Sequence, residues 1–315
     1  MAMTPQTRAV VDAAAAAFPK LGTEVLDAAE ARRLLAARPA APLDPIPVAA
    51  VEDRTVPGRA GDPPIPVRLY RPRDTPGPLP VVMFCHGGGF VICSIDSHDR
   101  FCRTMANETG ALVVSVDYRL APEHRFPAAA RDGYAVLRWI GEHAPEFGGD
   151  PGRIAVGGDS AGGNVVTVAA QLARDLGGPP IALQLLMYPM LDPTCSSASH
   201  RDNAHGYFVT ADHLRWYWEQ YLGGTGGDHP HAAPLLAAPA GLPPAYIVTA
   251  EYDPLRDEGE DYGRHLASAG VPVETHRYDG MFHGFMTMFD VLPDARRADD
   301  AAFAALREAL APTNS

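Results

Sequence analysis

Ser160, within the run GDSAG at residues 158–162, is the residue of this sequence best placed for nucleophilic chemistry. The run fits the pattern G-x-S-x-G, in which a sharp turn between a strand and a helix exposes the serine hydroxyl. The preceding run RIAV is typical of a strand, and the following run AGGNVVTVAAQLARDL is typical of a helix. This context favours a catalytic serine over a glycine-rich turn without chemistry.

A second glycine-rich run, HGGGF, begins at His86 directly after a predicted buried strand. Consecutive glycines let a backbone approach a ligand closely and turn its N–H groups inward. Such a loop can stabilise the negative oxygen of a tetrahedral intermediate. A phosphate-binding loop is the alternative, but no GK[ST] or GxGxxG pattern follows. Because both runs follow strands, we expect them to face one crevice at the carboxyl edge of a sheet.

A serine nucleophile needs a general base, and the base needs an acidic residue that orients it. After a serine placed in this way, the acid and then the histidine come later in the chain. Asp253 follows the predicted strand AYIVT, and the other candidates are Glu251, Asp257 and Glu258. Asp257 and Glu258 fall where a helix should begin, and carboxylates are favourable there without catalysis. Placement favours Asp253 over Glu251.

His283 is the predicted base among 12 histidines. It follows the last predicted strand within the run DGMFHGF, which places it in a glycine-flanked loop. His265 lies inside a predicted helix, and His276 alternates within a predicted strand. The other histidines lie before the last two strands or within the insertion described below. Placement therefore makes Ser160, Asp253 and His283 the leading candidates for a catalytic set.

Strand-like and helix-like runs alternate along most of the chain, which predicts an α/β fold with a mostly parallel central sheet of about eight strands. Predicted strands occupy residues 66–71, 80–85, 111–116, 153–156, 181–187, 245–249 and 271–277. Predicted helices that flank the sheet occupy residues 127–142, 161–175, 257–269 and 293–310. The first two strands have no helix between them, so this edge of the sheet is predicted to be antiparallel.

Two segments interrupt the alternation of strands and helices. Residues 1–45 are rich in alanine and have a helical pattern, with a break at Pro19. Residues from about 190 to 225 show no strand signal and contain the aromatic helical run DHLRWYWEQYL. An insertion late in an α/β sheet is well placed to form a lid. The late insertion is therefore a candidate lid over one large α/β domain.

Composition and charge exclude several classes of protein. The chain has 315 residues, 46% of them hydrophobic, and a net charge of −12. The sequence shows no basic face for nucleic acid, and its charge disfavours anionic membranes. The longest apolar stretch, residues 181–191, is too short to span a bilayer. The start of the chain is a poor signal peptide, so we expect a cytoplasmic protein with four reduced cysteines.

Five ordered motifs resemble those of the hormone-sensitive-lipase-like family of α/β-hydrolases, also called bacterial family IV esterases. They are HGGGF at 86–90, DYRLAPE at 117–123, GDSAGG at 158–163, DPLRDEG at 253–259 and HGF at 283–285. The resemblance spans roughly residues 45–311. It implies the α/β-hydrolase fold, and it implies that Ser160, Asp253 and His283 form a catalytic triad.

The resemblance also implies a helical cap, which residues 1–45 and the insertion at about 190–225 would form over a single hydrolase domain, residues 46–315. An oxyanion hole and a small apolar pocket would lie under this cap. The oxyanion donors would be the backbone N–H groups of Gly88, Gly89 and Ala161. The pocket suggests short to medium acyl chains, and no metal or organic cofactor is needed. The run DHPH at 228–231 could mimic a metal site, but a solvated loop is the favoured interpretation. Four aromatic residues are pocket candidates, although each could instead pack within the cap: Phe90, Phe208, Trp216 and Tyr217.

These observations predict a serine carboxylesterase that hydrolyses small-molecule carboxylic esters through an acyl-enzyme. An amidase or formamidase of the same fold stays open, because esters and amides pass through the same kind of intermediate. A non-catalytic receptor for a small ligand is disfavoured, because His283 is present. A nucleotide-binding protein would need a phosphate-loop lysine or Rossmann spacing, which the sequence lacks. We expect no nucleic-acid or membrane partner, and a homodimer stays open.

Overall fold

Eight strands form one sheet in the part of the chain that the computed structural model describes, residues 3–38 and 44–312. Their order across the sheet is β1-β2-β4-β3-β5-β6-β7-β8. The pairs β1/β2 and β2/β4 are antiparallel, and all other neighbouring pairs are parallel. The predicted mostly parallel sheet is confirmed. The strands are β1 (Ala50–Val56), β2 (Ile65–Arg71), β3 (Leu79–Cys85), β4 (Leu112–Val116), β5 (Gly149–Asp159), β6 (Gln184–Met187), β7 (Ala245–Tyr252) and β8 (Val273–Phe282).

Helices cover both faces of the sheet and create two apolar cores. In β3, Val81 and Met83 contribute to one core, whereas Val82 and Phe84 contribute to the other. All four side chains are fully buried. Because successive side chains of a strand point to opposite faces, a strand between two helical layers is apolar along its whole length. The continuous apolar runs of the sequence therefore mark the centre of the sheet.

Nine α-helices lie within the described residues. Helices α4, α5 and α8 pack on one face of the sheet, and α3 and α9 pack on the other. None of the helices in residues 3–38 and 44–312 is long and apolar enough to cross a membrane. The helices are α1 (Pro5–Ala17), α2 (Ala28–Ala36), α3 (Asp99–Thr109), α4 (Ala128–His143), α5 (Ala161–Leu176), α6 (Ala198–Asp202), α7 (Ala211–Leu222), α8 (Arg256–Ser268) and α9 (Pro293–Ala309).

The antiparallel edge differs in detail from the prediction. Strand β2 pairs with β4 rather than with β3, so the two strands without a helix between them are not neighbours. Strand β1 was not predicted, because most of its residues are exposed and its sequence AVEDRTV carries three charges. It is an edge strand held by pairing with β2, where Arg68 donates from Nε to Asp53 at 2.6 Å. Helix α3 was not predicted either, because its sequence DRFCRTMANET is largely polar.

The N-terminal helices and the insertion contact each other on the same side of the molecule. The indole N–H of Trp216, in α7, donates to the carbonyl oxygen of Leu26 at 2.9 Å. Residues 3–38 contain α1 and α2, and residues 190–225 contain α6 and α7. We call these two segments together the cap. Residues 1–2 and 39–43 of the predicted N-terminal segment lie outside the described residues.

Arg32 of α2 joins the cap to two loops beside the sheet. Its Nε donates to the carbonyl oxygen of Val91 at 2.7 Å, and its Nη2 donates to that of Ala121 at 2.6 Å. Both Nη atoms also donate to the carboxylate of Glu123, at 2.9 and 2.8 Å. Paired hydrogen bonds between guanidinium and carboxylate are strong and directional. Because Val91 directly follows the HGGGF run, α2 is held against that glycine loop.

Asp299 is a buried carboxylic acid on α9. Its side chain is fully buried, and within the described residues neither carboxyl oxygen has a hydrogen-bond partner. Burial raises the pKa of Asp299 to about 8, against the opposing charge of Arg296. In an unfolded chain an aspartate ionises with a pKa of about 3.9. Between these two pKa values, unfolding therefore releases a proton from Asp299.

Replacing Asp299 with asparagine is expected to remove the contribution of this carboxyl group to the pH dependence of the free energy of unfolding. Because the folded pKa is raised, the contribution of Asp299 to stability is fully present below about pH 4. It falls by about 1.4 kcal/mol per pH unit as the pH rises towards the folded pKa. Urea unfolding between about pH 5 and pH 7 should show this slope in the difference between wild type and Asp299→Asn. Glu308→Gln, at an exposed position of the same helix, is the matched control, and a constant difference for Asp299→Asn would contradict the prediction.

Candidate active site

Ser160 lies in a sharp turn between β5 and α5. Its backbone has φ 53° and ψ −119°, which is unusual for a residue other than glycine. A Cβ added to Gly162 would collide with the carbonyl oxygen of Cys85, and one added to Gly158 would collide with the backbone of Gly162. Larger residues at these two positions would therefore push the turn away from β3. The small residues of GDSAG allow the strained turn that presents the Ser160 hydroxyl.

His283 lies between Ser160 and Asp253. Its Nε2 is 3.1 Å from Ser160 Oγ, and its Nδ1 is 2.8 Å from Asp253 Oδ2. All three side chains are buried, and Asp253 is fully shielded from solvent. A carboxylate accepts hydrogen bonds, so Nδ1 of His283 carries the proton and Nε2 presents a lone pair to the serine hydroxyl. The arrangement can therefore take a proton from Ser160.

The cap holds the loop that carries Asp253. The side-chain amide of Asn203 donates to the carbonyl oxygens of Asp253 and Glu251, at 3.1 and 3.2 Å. The hydroxyl of Ser199 donates to the carbonyl oxygen of Pro254 at 2.6 Å. Asn203 and Ser199 both belong to residues 190–225, and neither was singled out from the sequence. The insertion therefore positions the acid as well as covering the site.

The other candidate acids have different partners. Glu251 accepts a hydrogen bond from the N–H of Gly280 at 2.7 Å. Asp257 accepts from the N–H of Ser199 at 2.7 Å, and Glu258 accepts from the N–H groups of Leu191 and Asp192. Helix-end electrostatics, the explanation proposed from the sequence, is therefore incomplete for Asp257 and Glu258. The side chains of Asp257 and Glu258 both bind the insertion at the start of α8. Burial raises the pKa of Glu258 well above its usual range.

The glycine loop faces Ser160 across the end of the sheet. Gly88 and Gly89 have positive φ angles of 108° and 60°, which glycine adopts without a steric penalty. A Cβ on Gly89 would collide with the ring of Tyr217. Ala161 opens α5, so its N–H is one of those at a helix start that have no partner within the helix. The structure thus brings Gly88, Gly89 and Ala161 to the same end of the sheet as the serine.

A small cavity of about 170 Å³ adjoins Ser160 and His283. Of the four pocket candidates from the sequence, Phe208 and Tyr217 line it. Phe90 and Trp216 do not belong to its lining: the ring of Phe90 stacks on Tyr221 with 3.8 Å between centroids, and the indole of Trp216 donates to Leu26 in the loop between α1 and α2. Most of the remaining wall is apolar and includes residues that were not predicted: Phe18, Ile92, Val209, Leu214 and Met288.

Within the described residues, no group of three His, Cys, Asp or Glu side chains is arranged to hold a metal ion. In the DHPH run, the ring of His229 packs on Phe126 with 5.3 Å between centroids. Its Nδ1 accepts a hydrogen bond from the N–H of His231 at 3.0 Å. These contacts give the two histidines a structural role in the loop.

Comparison with known proteins gives consistent matches over most of the chain. A family profile described as the alpha/beta hydrolase fold matches residues 82–287. A carboxylesterase of Mycobacterium tuberculosis is 46% identical over 274 residues, which cover 85% of this chain and 86% of that protein. An ethyl acetate hydrolase of Pseudomonas putida is 41% identical over 239 residues, covering 73% and 74% of the two chains.

Solved structures agree with these matches. A hyperthermophilic esterase from the archaeon Pyrobaculum calidifontis superimposes with a TM-score of 0.89 and 40% identity, covering 99% of this chain and 100% of the esterase. A thermostable esterase from Pseudomonas putida gives a TM-score of 0.92 at 34% identity, covering 99% and 98% of the two chains. The chain therefore belongs to the α/β-hydrolase fold family, in its hormone-sensitive-lipase-like branch.

Proposed function

We propose that this protein is a serine carboxylesterase that cleaves esters of short-chain carboxylic acids through an acyl-enzyme. The observation that carries the proposal is the hydrogen-bond path from Ser160 through His283 to Asp253, with distances of 3.1 and 2.8 Å. The same chemistry is named for the 46% identical relative, a carboxylesterase. With a nucleophile, a base and an orienting acid in contact, the chain has the groups that ester hydrolysis requires.

The first half of the reaction acylates Ser160. His283 Nε2 takes the hydroxyl proton while Oγ attacks the ester carbonyl carbon, and the carbonyl oxygen becomes negative. Asp253 keeps the histidine in the Nδ1–H tautomer and stabilises its positive charge. The tetrahedral intermediate then collapses, the bond to the alcohol breaks, and the alcohol leaves with the proton from Nε2. An ester of Ser160 remains.

The second half of the reaction hydrolyses the acyl-enzyme. Water gives a proton to His283 and attacks the acyl carbon, and the acid leaves when Ser160 Oγ takes the proton back. In both halves we assign the negative oxygen to the N–H groups of Gly88, Gly89 and Ala161. Loss of one donor of this kind typically costs about 2.7–4 kcal/mol of barrier. The reaction needs no cofactor.

The size of the cavity supports short acyl chains. Its volume of about 170 Å³ is below the roughly 300–1,000 Å³ of sites for drug-sized ligands. Phe18 and Phe208 close it from the cap, where their rings meet edge-on with 5.2 Å between centroids. A relative that is 41% identical is named for a small ester, ethyl acetate.

The cytoplasmic location and the homodimer considered from the sequence stay predictions.

A series of p-nitrophenyl esters from acetate to dodecanoate tests the proposed function, with p-nitroacetanilide as the amide counterpart. We expect kcat/KM to be greatest among the short acyl chains and to be much lower for the anilide. A folded protein that hydrolyses none of the esters would overturn the proposal. Preferential hydrolysis of the anilide would replace it with the amidase that the sequence left open.

Tyr217→Ala is expected to shift the preference towards longer acyl chains. The ring of Tyr217 lines the cavity and lies against Gly89, so its removal enlarges the space beside Ser160. Each buried methylene contributes about 0.8 kcal/mol, so a few extra methylenes can change relative kcat/KM more than tenfold. The ratio of kcat/KM for p-nitrophenyl octanoate to that for acetate measures the shift. Tyr217→Phe keeps the ring and is the control; an unchanged ratio in Tyr217→Ala would exclude Tyr217 as a determinant of chain length.

A further inference from the structure

A second pair of histidine and carboxylate lies next to the proposed triad. Asp159 precedes the nucleophile in the chain, and its Oδ1 is 3.1 Å from Nε2 of His98. The two residues are only 6% and 7% exposed, and both line the cavity beside Ser160. The mechanism above uses neither side chain. A buried carboxylate paired with an imidazole needs an explanation, because removing such polar groups from water is costly.

Hydrogen bonds hold His98 on both sides of its ring. The hydroxyl of Ser97 donates to the carbonyl oxygen of Ser94 at 2.7 Å, and its oxygen lies 2.8 Å from Nδ1 of His98. On the other side of the ring, Nε2 donates to the carboxylate of Asp159. The imidazole is therefore fixed between Ser97 and Asp159.

The carboxylate of Asp159 also binds the glycine loop. Its Oδ1 accepts the backbone N–H of Gly87 at 2.8 Å. A Cβ on Gly87 would collide with this carboxylate, so glycine is needed for the close approach. Burial alone would raise the pKa of Asp159, yet the charge of His98 and its hydrogen bond hold the pKa below the usual value. Asp159 therefore remains an ionised acceptor for Gly87.

The carbonyl side of Gly87 is fixed as well. Nδ1 of His86 donates to the carbonyl oxygen of Gly87 at 2.7 Å. Burial, and after it the electrostatic effect of His98, lowers the pKa of His86 to about 4. The ring of His86 is therefore neutral, and its single proton lies in the hydrogen bond to Gly87. The N–H of Gly88 belongs to the same peptide plane and points the opposite way. Fixing both sides of Gly87 thus sets the direction of the Gly88 N–H.

The next peptide plane is set within the loop itself. The carbonyl oxygen of Gly88 accepts the N–H groups of Val91 and Ile92, at 3.0 and 2.9 Å. The N–H of Gly89 shares this plane and therefore points away from the two donors. The two oxyanion donors of the loop are oriented by different anchors, and only the first depends on Asp159.

We propose that Asp159 and His98 act together as positioning residues that orient the Gly88 N–H of the oxyanion hole. This inference rests on the proposed esterase function and deepens it. His98 has a second consequence: its hydrogen bond stabilises a carboxylate that would otherwise oppose the negative charge that develops on the substrate oxygen nearby. Neither residue touches the reacting atoms, so both act through the backbone of the loop and through the local charge.

Pairs of size-matched variants test the proposal. Asp159→Asn keeps an acceptor for the Gly87 N–H, whereas Asp159→Leu has none. His98→Gln keeps a donor to Asp159, whereas His98→Leu has none. Both leucine variants are expected to lower kcat for p-nitrophenyl acetate by about 100-fold, comparable to the loss of one oxyanion donor, with KM within about threefold. The Asn and Gln variants are expected to stay within about tenfold of wild type.

The double variant tests whether Asp159 and His98 act through one another. In His98→Leu the carboxylate of Asp159 is left buried without its hydrogen-bond donor, whereas in Asp159→Leu/His98→Leu the carboxylate is removed as well. Because the residues act as a unit, the double variant is expected to lose no more kcat than His98→Leu alone. Losses that multiply in the double variant would overturn the proposal.

Inhibition by a trifluoromethyl ketone distinguishes the inference from the proposed function. The hydroxyl of Ser160 adds to the ketone carbon, its proton passes to His283, and the ketone oxygen becomes an anion in the oxyanion hole. Affinity for the ketone should fall in the leucine variants by about the same factor as kcat. If wild type binds the ketone and the leucine variants bind it equally well, the positioning role is wrong and the esterase stands. If wild type does not bind the ketone at all, the proposed function itself fails, and the inference fails with it.

Discussion

The variant Ser160→Ala is expected to lose about a million-fold in kcat towards short p-nitrophenyl esters while remaining folded. In the proposed mechanism the hydroxyl forms the acyl-enzyme, and its Oγ lies 3.1 Å from Nε2 of His283. Alanine removes this oxygen and leaves the backbone turn between β5 and α5 in place. Residual hydrolysis should reflect only binding of the ester near the oxyanion hole. Initial rates on p-nitrophenyl acetate measure the loss.

Two further measurements make this result specific. Ser268→Ala, at an exposed serine near the end of α8, is the matched control and should retain wild-type kcat. A fluorophosphonate should label wild type once per chain, and peptide mass spectrometry should find the label on Ser160. Activity within tenfold of wild type in Ser160→Ala, or a label on another residue, would remove Ser160 from the mechanism.

The proposed triad could be predicted from the sequence because its members come from the ends of three strands. Ser160, Asp253 and His283 follow or end β5, β7 and β8, and these strands lie within one parallel part of the sheet. Parallel neighbours bring their carboxyl ends to one edge, so residues far apart in the chain meet there. The order of the chain and the strand pattern carried this information without any side-chain coordinates.

Two features of the site could not be predicted in this way. The chain-order rule searches for a base only after the serine, so it passes over His98, which lies before it. It also treats Asp159 as part of a turn, because a motif records spacing and not hydrogen-bond partners. The contact of Asp159 with Gly87 joins residues 72 positions apart, and only the folded sheet brings them together.

The aromatic pocket candidates show a second limit of prediction from the sequence. Phe90, Phe208, Trp216 and Tyr217 all occur in segments near the site, but only two of them line the cavity. Phe90 turns away to stack on Tyr221, and Trp216 donates to the backbone of the loop before α2. Which face of a helix lines the cavity depends on how the cap packs on the sheet. In a helix that is aromatic on several sides, the spacing of the aromatic residues does not indicate this face.

The variant Asp253→Asn is expected to lower kcat about 10,000-fold, because the backbone fixes the orientation of the new amide. In wild type, Oδ1 of Asp253 accepts the N–H of Leu255 at 2.8 Å, and Oδ2 accepts from Nδ1 of His283 at 2.8 Å. An asparagine that keeps the bond to Leu255 must direct its NH2 group at His283. Nδ1 then has to accept, and the ring proton moves to Nε2. In that tautomer, His283 cannot accept the proton of Ser160.

The nearby carboxylate Glu251 provides the comparison that assigns the effect to one acid. Glu251 lies two residues earlier but accepts from the N–H of Gly280 at 2.7 Å, and a glutamine can keep this bond. We expect Glu251→Gln to retain kcat within about threefold, so the two amide variants should differ by more than a thousand-fold in the same ester assay. Because the defect of Asp253→Asn lies in the tautomer, the labelling rate by a fluorophosphonate should fall along with kcat, while KM should change little. Equal losses in the two variants would show that negative charge at this end of the sheet, rather than the tautomer of His283, sets the rate.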